Sequence, residues 1–182
     1  MQLLIIIGVS ALILFYFVGI YNNLVRTKTL VSEGWSGIDV QLKKRHDLIP
    51  NLLESVKGYM SYEQDTLQKV ISARNAAVSA KGVMSQSQAE NQLQSAIGGV
   101  FALAEQYPDL KASANFIQLQ DALKDVENTI EQSRRYYNGA VRDFNRMIVV
   151  FPTNLIAQIL GFKIEPFFEV AENEKKNVEI KF

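Results

Sequence analysis

A chain of 182 residues, once an apolar N-terminal run of about 20 is set aside, keeps roughly 160 for folding, enough for one sizeable core and few for a second domain. Lysine plus arginine and aspartate plus glutamate stand at 19 each, so the molecule as a whole exerts no electrostatic pull on nucleic acid or acidic substrates. Cysteine is absent, which removes disulfides, thiolate metal sites and cysteine nucleophiles and leaves the compartment open.

Residues 3–21 carry no charged side chain. As a helix this stretch of about 19 residues covers roughly 28 Å, close to the hydrocarbon thickness of a bilayer. Its Leu, Ile, Phe and Val side chains favour insertion by several kcal/mol, and Tyr16 and Tyr21, followed by Asn22 and Asn23, suit the aromatic belt at a membrane surface. A cleaved signal peptide would want a basic leader and a small-x-small site. Only Met1 and Gln2 precede the run, and Val18, Gly19, Ile20 and Tyr21 do not supply the site, so a retained single-pass anchor is expected. Arg26 and Lys28 follow the span closely, with Lys43, Lys44 and Arg45 further on, so the helical domain is expected to face the cytoplasm.

Beyond the span, Leu24, Val31, Trp35, Ile38, Leu42, Ile49, Leu52, Val56, Tyr59 and Val70 recur at three and four, one stripe on one helix face. The phase runs through Pro50. One long helix kinked at Pro50, where the missing amide and the ring disturb the carbonyl of His46, is therefore favoured over a turn at residues 46–50. A second helix is expected over residues 86–106, capped by Ser85 or Ser87, closed by Tyr107, Pro108 and Asp109, and striped by Ala89, Leu93, Ile97, Val100 and Leu103. Gly98 and Gly99 inside it cost about 1 kcal/mol each relative to alanine, which close helix packing would explain.

The third helix has the clearest pattern: Phe116, Leu119, Leu123, Val126, Ile130, Tyr137, Phe144, Ile148 and Phe151 keep heptad phase up to Pro152, over about 50 Å. Residues 154–160 follow as a short amphipathic helix, with Thr153 or Asn154 as cap and Gly161 as stop. The expectation is an all-α chain: a transmembrane anchor (residues 1–22), an antiparallel bundle of three to four long helices (23–162), and a tail (163–182). That tail, with a charged run at 172–176 and alternating Val178, Ile180 and Phe182, reads as loosely ordered or as a short extended segment.

The first soluble helix outruns the others on this reading. Leu24, Val31, Trp35, Ile38 and Leu42 would then lack a cover, which predicts a homo-oligomer assembled along the juxtamembrane helix. The alternative is a chain that folds back near Pro50 and completes a four-helix bundle within one copy.

Chemical motifs are weak throughout. His46, the single histidine, could be a general base oriented by Asp47, but nothing stands as its nucleophile, and a histidine bonding a freed carbonyl or an acidic neighbour at the kink fits better. One histidine cannot supply the two Glu-x-x-His motifs of a di-metal bundle. Asp121 with Asp125, and Glu127 with Glu131, read as a solvated acidic face. Gly98 and Gly99 lack the spacing and the lysine of a phosphate loop. Asn138 and Asn145 fall beside the apolar seam near Arg134, Arg142 and Arg146, where a network satisfying buried amides outweighs a recognition stripe for a peptide. No catalytic, cofactor-binding or metal residue is assigned, and no cofactor is expected.

The segment YNNLVRTKTLVSEGWSGIDVQLKKRHDLIPNLLESVK at residues 21–57 resembles the LemA family of bacterial membrane proteins. The likeness continues through YPDLKASANFIQLQ (107–120), RRYYNGAVRDFN (134–145), FPTNLIAQILGF (151–162) and PFFE (166–169). The resemblance implies a single-pass anchor with a helical bundle and implies no enzyme activity, catalytic residues or cofactor. The family looks related to a magnetosome-associated protein that acts in building a membrane compartment, an analogy that favours a noncatalytic scaffold or adaptor. The expected partners are the lipid bilayer, a second copy, or an unidentified protein; the rival is a membrane-tethered receptor that binds a small ligand or peptide between its helices.

Overall fold

The computed structural model describes residues 1–60 and 62–169. Among them are six helices and no strand: α1 (Gln2–Lys57), α2 (Gln64–Ser79), α3 (Val83–Ala104), α4 (Pro108–Lys111), α5 (Ala114–Val149) and α6 (Thr153–Ile159). The all-α expectation of an apolar N-terminal helix and a long-helix bundle is what the chain adopts. It divides into two compact units, Met1–Gly37 with Ser133–Pro166, and Ile38–Gln132 with the residues from Phe167.

α1 passes through Pro50 without a break. Pro50 has no amide to give the carbonyl of His46, and Arg74 Nε from α2 takes that place, donating to it at 2.8 Å. The helix nevertheless ends at Lys57, short of the predicted stripe. The Met60 amide turns back to the Val56 carbonyl at 2.9 Å, Met60 is buried, Tyr59 is left exposed, and Val70 belongs to α2. Apolar spacing alone could not see the reversal.

α3 starts three residues before the expected position. Its cap is Gly82, which at φ +82° makes no side-chain bond, so neither Ser85 nor Ser87 caps it. Ser87 is buried and donates to the Glu169 carbonyl at 2.6 Å. Gly98 and Gly99 do not mark close packing either: a methyl group at either would meet nothing within 4 Å. They lie off the buried face made by Ala89, Leu93, Ile97 and Val100. α4 is a single turn where the sequence suggested only a stop.

α5 buries the heptad positions Phe116, Leu123, Ile130, Tyr137, Phe144 and Ile148, while Phe151 falls beyond its end and is exposed. In the second unit, Phe116 and Leu123 join Ile49, Leu52, Val56 and Leu93 in the core, each buried side chain contributing about 1.5–3 kcal/mol.

In the first unit, α5 covers the juxtamembrane part of α1. Leu24 and Val31 are buried, Thr27 Oγ1 meets Met147 Sδ at 3.2 Å, and the Trp35 ring stands edge-on to Tyr137 with centroids 5.8 Å apart. At Gly34 the approach is close enough that a methyl group would lie 3.1 Å from the Tyr137 Cα. Ile38 and Leu42, in the second unit, are buried as well. The stripe expected to be bare is therefore covered inside one copy, as in the folded-back alternative, although the reversal comes after Lys57 rather than at residues 46–50.

After α6, Gly161 at φ +75° stops the helix as expected, but Pro152 holds the cap position without a side-chain bond. Residues 163–166 then run back across α5. Asn145 Nδ2 donates to the Glu165 carbonyl and Asn145 Oδ1 accepts from the Glu165 amide, both at 2.8 Å. Tyr137 donates its hydroxyl to the Pro166 carbonyl at 2.9 Å, and Lys28 pairs with Glu165. Burial, with the charge of Glu165 adding to it, pushes the Tyr137 phenol up to about 12, so the donor keeps its proton well above its ordinary range. The expected alternation of Val178, Ile180 and Phe182 and the charged run at 172–176 lie outside the described residues.

Candidate functional site

The densest chemistry in the second unit surrounds Pro50. Arg45 and His46 sit on α1 in phase with Leu42 and Ile49, and Glu90 sits on α3 between Ala89 and Leu93; all three are buried. Glu90 Oε1 receives His46 Nε2 at 2.7 Å and Gln86 Nε2 at 2.8 Å, and Glu90 Oε2 receives Arg45 Nη1 at 3.1 Å. Arg45 Nη2 reaches Glu127 of α5. A carboxylate oxygen only accepts, so Nε2 is the protonated nitrogen of His46 in this contact.

Four helices thus meet through two carboxylates and two guanidinium groups, Arg45 and Arg74, whose charges balance. Arg45 and Glu90 are buried, Glu127 and Arg74 only partly so; removing either member of the buried Arg45–Glu90 pair is costly, because it strands the other charge away from water. Beside it a cavity of about 310 Å³ is lined in part by Arg45, Ile97, Gly98, Phe101, Lys124 and Glu127. The missing side chain at Gly98 helps to leave that space open.

Several sequence expectations change here. His46 does bond an acidic group at Pro50, as the favoured reading expected, but that group is Glu90 of α3; Asp47, the partner in the general-base reading, is exposed, and the freed carbonyl goes to Arg74. Glu127 leaves the acidic face to pair with Arg45, while Asp121 and Asp125 remain exposed. Asn145 satisfies backbone groups, and Arg142 pairs at the surface with its neighbour Asp143 at 3.0 Å. No group of three or more potential metal ligands occurs among the described residues. The signal for Glu90 and Arg45 was present in the sequence: each is a charge placed on the buried phase of its helix.

The chain is all-helical among the described residues, and its N-terminal helix, long and apolar enough to cross a membrane and unburied across its apolar window, is consistent with a membrane-associated protein. A family model described as the LemA family matches residues 34–182, and the chain belongs to that family. It is 30% identical over 166 residues to Protein LemA of Metamycoplasma hominis, covering 91% of this chain and 76% of that one. It is 24% identical over 195 residues to Magnetosome protein MamQ of Magnetospirillum gryphiswaldense, covering 92% and 72%. Against Magnetosome protein MamQ 2 of Paramagnetospirillum magneticum it is 24% identical over 175 residues, 82% of this chain and 64% of the relative.

Proposed function

We propose that this chain is a noncatalytic scaffold or adaptor, held in the bacterial cell membrane by residues 3–21, whose helical domain stands at the cytoplasmic face and assembles there with itself or with another protein. One observation carries the reading. α1 runs without a break from the exposed apolar span to Leu24 and Val31, which are buried against the same chain. The span is therefore rigidly joined to the first unit and presents it at a fixed angle, which a scaffold needs and a loose tether would not supply. Arg26 and Lys28 directly after the span favour the cytoplasmic side, and the likeness to proteins named for the magnetosome supports a role in organising a membrane.

The test is isolation of the full chain from native membranes in lipid nanodiscs, followed by native mass spectrometry. The scaffold reading expects a homo-oligomer or a fixed ratio to one other protein. A monomer free of protein companions overturns it.

A regulatory receptor is the second reading, favoured by the cavity beside Arg45 and Glu127. It expects the same spectra to carry a retained small molecule, lost from Gly98→Leu, which fills that space.

A further inference from the structure

α6 is apolar on both sides. Ile156 and Ala157 are buried, whereas Leu155, Ile159 and Leu160 face outward, with Phe151 just before the helix and Ile164 just after it also exposed. Ile159 is 83% and Phe151 74% exposed. In the outward group, Leu155 and Ile159 stand four residues apart within α6, so they share one face of the helix rather than being scattered points. A surface helix in water carries polar side chains outward. A contiguous apolar patch of this kind marks a membrane or a partner.

The neighbour of the patch decides between these occupants. Within the first unit, Ile156 and Ile159 of α6 and Leu160 at its end share a wholly apolar concavity with Phe17, Val18 and Tyr21, the last turn of the span. The patch is thus continuous with the unburied surface of the apolar span, whose surroundings are lipid if it anchors the chain as proposed above. Phe17 and Tyr21 are four residues apart, about 6 Å along a helix, which falls within the depth of about 5–10 Å reached by interfacial amphipathic helices. Arg26, Arg146 and Lys163, exposed in the same unit, supply cations of the kind that meets phosphate headgroups.

We propose that α6 and its flanks form a second membrane contact, embedded beside the anchor at the boundary between headgroups and acyl chains of the same leaflet, with lipid acyl chains occupying the concavity between α6 and α1. The inference rests on the anchor and is independent of whether the domain acts as a scaffold. Two contacts instead of one would fix the tilt and rotation of α1 at the surface.

The chain has no cysteine, so single labels can be placed in the full-length protein in liposomes. Labels at Leu155→Cys and Ile159→Cys should have most of their emission quenched by lipids brominated near the headgroup, and little by aqueous iodide. Leu12→Cys should respond to deeply brominated lipid, and Gln68→Cys to iodide alone. If Leu12 is quenched by lipid while Leu155 and Ile159 respond to iodide, the second contact is overturned and the anchor stands. Shielding of Leu155 and Ile159 from both quenchers also overturns it, in favour of a protein cover such as a second copy. A Leu12 label open to iodide removes the anchor itself.

Discussion

The two units each contain backbone groups that regular helix cannot serve, and they satisfy them differently. In the first, neutral side chains do it: Asn145 holds both peptide groups of Glu165, and Tyr137 holds the Pro166 carbonyl. In the second, a guanidinium does it, since Arg74 bonds the carbonyl that Pro50 leaves open, next to Arg45 and the carboxylates of Glu90 and Glu127. Neutral bonds of this kind contribute about 1 kcal/mol each. A buried charged set is different: it contributes little over an apolar replacement, yet loses several kcal/mol when one member goes. The second unit should therefore be the one that fails abruptly.

The sharpest contrast pairs one substitution in each unit. Glu90→Ala leaves Arg45 short of a carboxylate and His46 without its acceptor, and should cost about 3–5 kcal/mol. Asn145→Ala removes two neutral bonds and should cost about 2 kcal/mol. Chemical denaturation followed by helical circular dichroism measures both, and equal costs would erase the distinction between the units. A smaller effect isolates Pro50. Arg74→Met should cost about 1–3 kcal/mol by orphaning the His46 carbonyl, but much less in a Pro50→Ala background, where residue 50 regains the amide that carbonyl needs. A double-mutant cycle with no coupling would show that Arg74 serves something else. The smallest effects are at glycines. Gly98→Ala should stabilise the second unit by up to about 1 kcal/mol through helix propensity, since nothing stands within 4 Å of the added methyl. Gly34→Ala should instead destabilise the first, because the methyl would press on the Tyr137 backbone. Thermal melts of the two variants should move in opposite directions.

Local patterns were legible to the extent that one element determined them. The absence of charge from residues 3–21, the heptads of α5 and the unbroken phase across Pro50 each describe a single helix, and each corresponds to what the chain forms. What depends on two elements was not legible. The stripe at Leu24 and Val31 looked bare because helix lengths alone do not tell that the end of α5 returns alongside α1. His46 and Glu90 are 44 residues apart in sequence, and no spacing rule joins them. Ser85 and Ser87 resembled caps, yet Gly82 starts α3 through its backbone alone and Ser87 serves the Glu169 carbonyl.

The clamp at Asn145 has a chemical lifetime. Its carboxamide offers a donor and an acceptor side by side, as a peptide group does, and Glu165 needs both. Deamidation exchanges the donor for a second acceptor with hardly any change of shape, and the carboxylate so formed would face the Glu165 carbonyl with no proton to share. Ageing of the protein should therefore release the strap at residues 163–166, which faster amide exchange there, in molecules carrying the mass gain at Asn145, would register; unchanged exchange would mean that the clamp is dispensable.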